Sequence, residues 1–296
     1  MLEARHARAV GVTSSDLERQ TMNQSPARSS FALISMLASS LLLAGWGGDG
    51  RESPRDEAKL GESFEAIVGG TQAATGEFPW AAAMLSNGSL ICGGVIIGTK
   101  TVLTSARCAA GRTLSTFTVR VGSNSPTSGG QVIQASEIIP HPSYSSSTLD
   151  YNIAVVKLAS AVPSSYVIPM AADGSDPGAG VVATVAGWGR TAGGGALPST
   201  LQKADLNIIP RATCQASWGS VNTITARMLC AGTSTKGTCS GDDGGPLVIR
   251  GTDGSYQLHG LVSWGVSSCP ADTTIRPIVF TRIGALRSWI QSTSPV

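Results

Sequence analysis

An all-β fold closed by one C-terminal helix is what this 296-residue sequence predicts, on three observations. Short apolar or alternating runs recur after residue 66, separated by Gly, Ser, Pro and Asn, as strands do in antiparallel barrels and sandwiches. The 36 glycines are spread along the chain rather than clustered, which suits a turn-rich fold better than a helical one. A helical pattern stands out only at the end, in TRIGALRSWIQS, where Ile283, Leu286, Trp289 and Ile290 share one face.

The elements follow in order. Residues 1–46 read as a leader. FALISMLASSLLLAGW, Phe31 to Trp46, is an uncharged apolar run behind Arg28, the length of a signal-peptide core and short for a membrane span. Met22 stands where such a signal would begin, which makes Met1 to Thr21 an over-extended start. The ending Leu43-Ala44-Gly45-Trp46 is like a bacterial lipoprotein box with tryptophan in place of the lipidated cysteine. Without a thiol there is nothing to acylate, so a secreted or periplasmic protein with no stable membrane anchor is expected; an uncleaved signal anchor is the alternative. Residues 47–66, polar and without hydrophobic periodicity, are expected to be a flexible pro-segment, leaving 67–296 as the folded domain. Its expected strands are LICGGVIIG, TFTVRVG, NIAVVKL, VVATVAGWG, PLVIRG and YQLHGLVSWG.

With 42% hydrophobic and 14% charged residues, the chain can bury one large core or two small ones. A net charge of +2 gives no argument for nucleic acid or an anionic membrane as partner. The six cysteines show no C-x-x-C or other metal-ligand spacing, so disulfides and an oxidising compartment are expected, with no metal and no cofactor. They can be grouped as Cys92 with Cys108, Cys214 with Cys230 and Cys239 with Cys269, although their number alone does not determine the pairing. The sequon NGS at Asn87 is an acceptor only in a source that glycosylates such sites.

Several specific motifs then occur in a fixed order: IVGG (Ile67 to Gly70), CGGVIIGTKTVLTSARC (Cys92 to Cys108), DYNIAVVKL, VAGWG, GDDGGP and VSWG (Val262 to Gly265). Over residues 67–296 they resemble the trypsin/chymotrypsin family of secreted serine proteases. The resemblance implies two six-stranded antiparallel β-barrels with the active site between them, a terminal helix and a complete set of three disulfides. It also implies that Asp242 pairs with the amino group released by a cut before Ile67. The preceding residue is Ala66, not Lys or Arg, so trypsin-like self-activation is not expected and another protease would have to act.

At the chemistry the resemblance breaks. Where the family has its general-base histidine this chain has Arg107, in place of the orienting aspartate it has Asn152, and in place of the nucleophilic serine it has Asp243. A guanidinium has no lone pair and a pKa above about 12, so Arg107 cannot take a proton from a nucleophile. Asn152 is neutral and would not stabilise an imidazolium. Attack by the Asp243 carboxylate on an amide would give an anhydride, with no acid to protonate the leaving amine. Losing triad function costs about 10⁶ in turnover, or roughly 8 kcal/mol of barrier. The oxyanion hole would be the N–H groups of Gly241 and Asp243, with a carboxylate beside the developing charge and able to fold back onto those donors.

Arg107 and Asp243 are expected to form a guanidinium–carboxylate pair across the site. The substrate pocket implied by the resemblance has Gly237 at its base, Ser263, Trp264 and Gly265 along its wall, and Ile278 filling the slot where an open pocket needs glycine. Of the three histidines, His6 lies in the leader, His141 reads as a surface or turn residue and His259 as a packed or exposed strand residue, so none replaces the missing base.

The functional expectation is a pseudoprotease, catalytically inactive, monomeric, and acting by binding a protease, a protease inhibitor or another secreted protein. The alternative is an inactivated form of a serine endopeptidase. A hydrolase built on Asp242 and Asp243 as a dyad is disfavoured, because adjacent residues in a turn point apart.

Overall fold

The structure, a computed structural model, describes residues 67–295, so the leader and pro-segment expected at 1–46 and 47–66 lie outside the described residues. In chain order the strands of the first half are β1 (Thr71–Gln72), β2 (Ala81–Ser86), β3 (Ser89–Gly98), β4 (Thr101–Thr104), β5 (Phe117–Val121), β6 (Gln131–Pro140) and β7 (Ala154–Leu158). Those of the second half are β8 (Val182–Gly187), β9 (Gln202–Ile209), β10 (Met228–Gly232), β11 (Pro246–Arg250), β12 (Tyr256–Trp264) and β13 (Ile278–Arg282). Among the described residues the α-helices are α1 (Ala106–Ala109), α2 (Arg211–Trp218) and α3 (Ile283–Thr293).

Strands β2-β3-β4-β7-β6-β5 close an antiparallel barrel. A second closes in the order β8-β9-β10-β13-β12-β11, with β1 attached to the outside of β9. Period-two burial makes this possible. Phe117, Val119 and Val121 point inward from β5 while Thr118 and Arg120 point out, and β9 alternates in the same way along its length. Met84, Ile96, Phe117, Val119 and Val156 fill the first barrel, and Val185, Leu206, Leu229, Leu247 and Phe280 fill the second. A third cluster runs from Leu103 and Val155 in the first barrel to Leu201 and Leu258 in the second, where Ile283, Leu286 and Ile290 of α3 cover it. The two barrels therefore meet along a continuous apolar seam, and the loops at its edge form a cleft.

All six expected strand runs are strands, as β3, β5, β7, β8, β11 and β12. The helix begins at Ile283, not Thr281; Thr281 and Arg282 still belong to β13, paired with Leu261 and Gly260. The helix α2 was not expected. It is one short stretch after Pro210, and only Cys214 and Trp218, one turn apart, are buried. His141 is a correction too. It sits in a turn, but is buried between Tyr151 (4.4 Å between ring centroids) and Trp289 (4.5 Å), with Nδ1 accepting from Ser143 N.

Disulfides join Cys92 to Cys108, Cys214 to Cys230 and Cys239 to Cys269. They close spans of 16, 16 and 30 residues. A loop of that size is worth roughly 3 kcal/mol through the entropy it removes from the unfolded chain. Two of them also anchor cleft segments: the first holds α1 to β3, the third holds the turn before β11 to the loop after β12.

Candidate active site

From the first barrel come Arg107 and Asn152. Ser105 caps α1, its hydroxyl accepting from Cys108 N, so Arg107 projects from a helix of one turn. Asn152 precedes β7, in a segment where Leu149 and Tyr151 have positive φ (55° and 53°). That unusual backbone is held by side-chain contacts. The Arg227 guanidinium lies 4.4 Å from the Tyr151 ring centroid and grips the Asp150 carboxylate, and His141 stacks on the same ring. Burial pulls the Asp150 carboxyl up, but hydrogen bonds from Arg227 and Thr225 outweigh it and hold the group below the ordinary carboxylate range.

Asn152 is fully buried. Its Oδ1 accepts from Arg107 N (2.9 Å), its Nδ2 donates to Ser263 Oγ (2.9 Å), and its carbonyl accepts from Thr281 Oγ1 (2.8 Å). A reversed amide would set N–H against N–H, so the network settles the orientation. The residue ties α1 to β12 and β13 across the seam.

The second barrel supplies two adjacent carboxylates in unlike settings. Asp242 is wholly buried, with Oδ1 accepting from Gly189 N (2.7 Å) and Oδ2 from Cys239 N (2.9 Å). Gly187 and Gly189 make room for it, since a Cβ on either would lie 2.1 Å or 2.4 Å from the carboxylate group. Burial pushes the Asp242 carboxyl up to about 7, against the pull of its two N–H donors and with help from the charge of Asp243. Ile67 is buried in the core of the second barrel, and Val68 beside it pairs with Gly237, whose N–H donates to Val68 O (3.0 Å). In the uncut chain the Ile67 nitrogen is an amide, and among the described residues it makes no hydrogen bond to Asp242.

Asp243 faces the cleft. Its carboxylate is ion-paired with Arg107 Nη2, which also donates to Ser263 O at 3.1 Å. The Arg107 side chain is 43% exposed and that of Asp243 23%. Burial raises the Asp243 carboxyl, and the charge and hydrogen bond of Arg107 oppose the rise only in part. The carboxylate does not fold back onto the two N–H groups expected to form the oxyanion hole: those of Gly241 and Asp243 have no acceptor among the described residues.

Beside the pair lies a cavity of about 260 Å³, lined by Arg107, Thr238, Ser240, Asp243, Trp264 and Gly265 together with the Cys239–Cys269 disulfide. Trp264 packs edge-on against Trp218, 4.7 Å between centroids, while a Cβ on Gly265 would meet only open space. Of the residues expected to form the pocket, Gly237, Ser263 and Ile278 do not line the cavity. Gly237 is crowded by the loop after β12, where a Cβ would come 2.6 Å from Pro270 O. Ile278 is 3% exposed and packs with Ile67, Leu229 and Phe280 in the barrel core. Two features escaped the sequence reading: the carbonyl of Ser263 as a second acceptor for Arg107, and the Gly187/Gly189 cradle. The GWG spacing within VAGWG was the available signal for the cradle.

His259 is half-buried in β12, with Nδ1 unpartnered among the described residues and its imidazole pKa lowered by burial. No group of three or more His, Cys, Asp or Glu side chains among the described residues is placed to hold a metal ion.

A family model described as Trypsin matches residues 67–290. Trypsin alpha-4 of Lucilia cuprina is 37% identical over 228 residues, 76% of this chain and 86% of the relative. Trypsin Blo t 3 of Blomia tropicalis is 36% identical over 270 residues, 88% of this chain and 96% of the relative. Trypsin beta of Drosophila erecta is 35% identical over 227 residues, covering 76% and 87%.

Proposed function

This chain belongs to the trypsin family, and from that premise we propose that it is a catalytically silent member that acts by binding a secreted protein. The observation that carries the reading is the Arg107–Asp243 ion pair, which stands where the family has its base and its nucleophile. Neither group supports acyl transfer. Arg107 has no lone pair with which to accept a proton, and its charge is committed to the Asp243 carboxylate. Asn152, which in the family would be the carboxylate that orients the base, here uses its amide to hold the backbone of Arg107.

The activation arrangement is proposed to persist without the chemistry. A carboxylate buried as deeply as Asp242, with two N–H donors and no cation beside it among the described residues, is a site prepared for a positive group. The amine created by a cut before Ile67 is the candidate. Export through the 1–46 leader, release of residues 47–66 and a protease or protease inhibitor as binding partner belong to the same proposal. The three disulfides support an oxidising compartment.

The test compares peptide hydrolysis by the protein beginning at Ile67 with that of an Arg107→His, Asn152→Asp, Asp243→Ser triple variant. The triple variant is expected to gain on the order of 10⁶ in turnover. Turnover by the unaltered protein, abolished by Asp243→Ala, would overturn the proposal and favour an endopeptidase.

A further inference from the structure

We propose that a recess between the β3–β4 hairpin and the end of α3 binds a free fatty acid, with the carboxylate on Lys100 and the alkyl chain along the recess. The recess shares no lining residue with the cleft cavity and is independent of the loss of catalysis.

Its walls come from four places in the chain. The β3–β4 hairpin brings Ile97 and Lys100, β7 brings Lys157, the segment after β7 brings Val167 and Pro169, and the end of α3 brings Pro295. The space they border is about 730 Å³. Backbone hydrogen bonds tie these segments together. Leu158 N donates to Lys100 O (2.9 Å), Val162 N to Thr99 O (2.8 Å) and Ile168 N to Ile96 O (3.1 Å). Thr101 Oγ1 and Ser294 Oγ, both on buried residues, bond to each other at 2.8 Å. Much of the local polarity is thus used internally. What the recess presents is mostly apolar surface, with the lysine stems contributing to it.

Two lysines line this recess and no carboxylate does. Other cavities of the molecule differ. The cleft cavity sets Arg107 against Asp243, and the one lined by Lys203, Lys236 and Arg250 also holds Glu77 and Asp205. Lys157 is paired at 2.8 Å with Glu137, which is not a lining residue. Lys100, in the turn of the hairpin, has no carboxylate within ion-pair distance among the described residues. An apolar surface with an uncommitted ammonium beside it matches an alkyl chain that ends in a carboxylate. A neutral lipid would leave the ammonium unused, and a compact anion such as phosphate would leave the apolar surface unused.

Calorimetry of the full chain tests this with laurate, decanoate and the neutral decanol, each kept below micelle-forming concentrations. One laurate per chain is expected, bound at least about threefold more tightly than decanoate because two more methylenes leave water. Decanoate should bind about fivefold more tightly than decanol, and Lys100→Gln should cut that preference to less than about twofold. Ser164→Glu places a like charge on an exposed wall residue and should weaken laurate about fivefold while sparing decanol. Circular dichroism confirms that each variant is folded. Absence of saturable laurate binding, equal binding of decanoate and decanol, an acid preference that survives Lys100→Gln, or indifference to Ser164→Glu overturns the proposal. Binding that appears only after removal of Val296 also overturns it, by assigning the recess to the chain's own end. Sedimentation with equimolar phosphatidylglycerol and phosphatidylcholine vesicles separates a single fatty acid from a membrane. Capture by vesicles without one-to-one laurate binding would assign Lys100 and Lys157 to a lipid surface and overturn the proposal as well.

Discussion

Asp242 and Asp243 are neighbours in the chain and opposites in environment. Asp242 is sealed inside the second barrel, accepts from two backbone N–H groups and lies against two glycines that leave no spare space. Asp243 is part-exposed, meets a side chain from the other barrel and borders a cavity. The difference teaches where substitution is tolerated. A group packed on all sides is specified by everything around it, whereas a group at a cleft can exchange its chemistry while the scaffold stays whole. The three disulfides and both closed barrels accompany a centre with Arg107, Asn152 and Asp243 in it.

The sharpest break of this comparison is Gly189→Ala set beside Asp243→Ala. The first drives a Cβ to within 2.4 Å of the Asp242 carboxylate and is expected to cost about 3 kcal/mol or more. The second should change stability by less than about 1 kcal/mol. Urea unfolding of the two variants decides it, and equal losses would erase the distinction between sealed and cleft-facing carboxylates.

Asp242 also makes a pH prediction. Its folded pKa of about 7 lies above the unfolded value of 3.8, so the folded state binds the proton more tightly. Stability of the uncut chain should therefore rise as pH falls from about 7 towards 4, by at most about 1.4 kcal/mol per unit from this group. Above pH 7 the carboxyl is charged in both states and its burial penalty is paid in full. Cutting before Ile67 supplies an ammonium, which should remove that slope. Thermal melts of cut and uncut protein across this range measure it, and identical slopes would mean that Asp242 does not receive the new amine.

Next in size is Asn152→Leu, which leaves the Arg107 N–H and the Ser263 hydroxyl without their partner. It is expected to cost about 2 kcal/mol in denaturant unfolding. Smallest is the Arg107–Asp243 coupling itself. A part-exposed pair of this kind should give less than about 1 kcal/mol in a double-mutant cycle with Arg107→Gln and Asp243→Asn. A coupling several times larger would move Asp243 into the class of Asp242.

Much of the fold was legible because strand burial leaves local marks. The runs that became β3, β5, β7, β8, β11 and β12 are β-branched or alternating and bounded by turn residues. Two of the elements that passed unnoticed lacked such marks: β2 is AAAMLS, without a β-branched residue, and α2 buries only Cys214 and Trp218. His141 shows the same limit. HPSY has the composition of a surface turn, and only the arrival of Trp289 from α3, far along the chain, makes it a buried stack. Ile278 was assigned to the pocket, yet its strand turns it into the barrel core with Ile67.

By itself the sequence determined the class of fold, the six cysteines without metal-ligand spacing and the residue types at Arg107, Asn152 and Asp243, because these depend on residue type and local pattern. A guanidinium is not a base in any fold. Only the tertiary structure decided that Arg107 spans to Asp243 and Ser263 O, that Asn152 holds the backbone beside Arg107, and that two glycines enclose Asp242. Those contacts join residues 45, 136 and 156 positions apart, and no local preference specifies them. They exist because two barrels close independently and then share one apolar seam, and that closure puts their loops face to face.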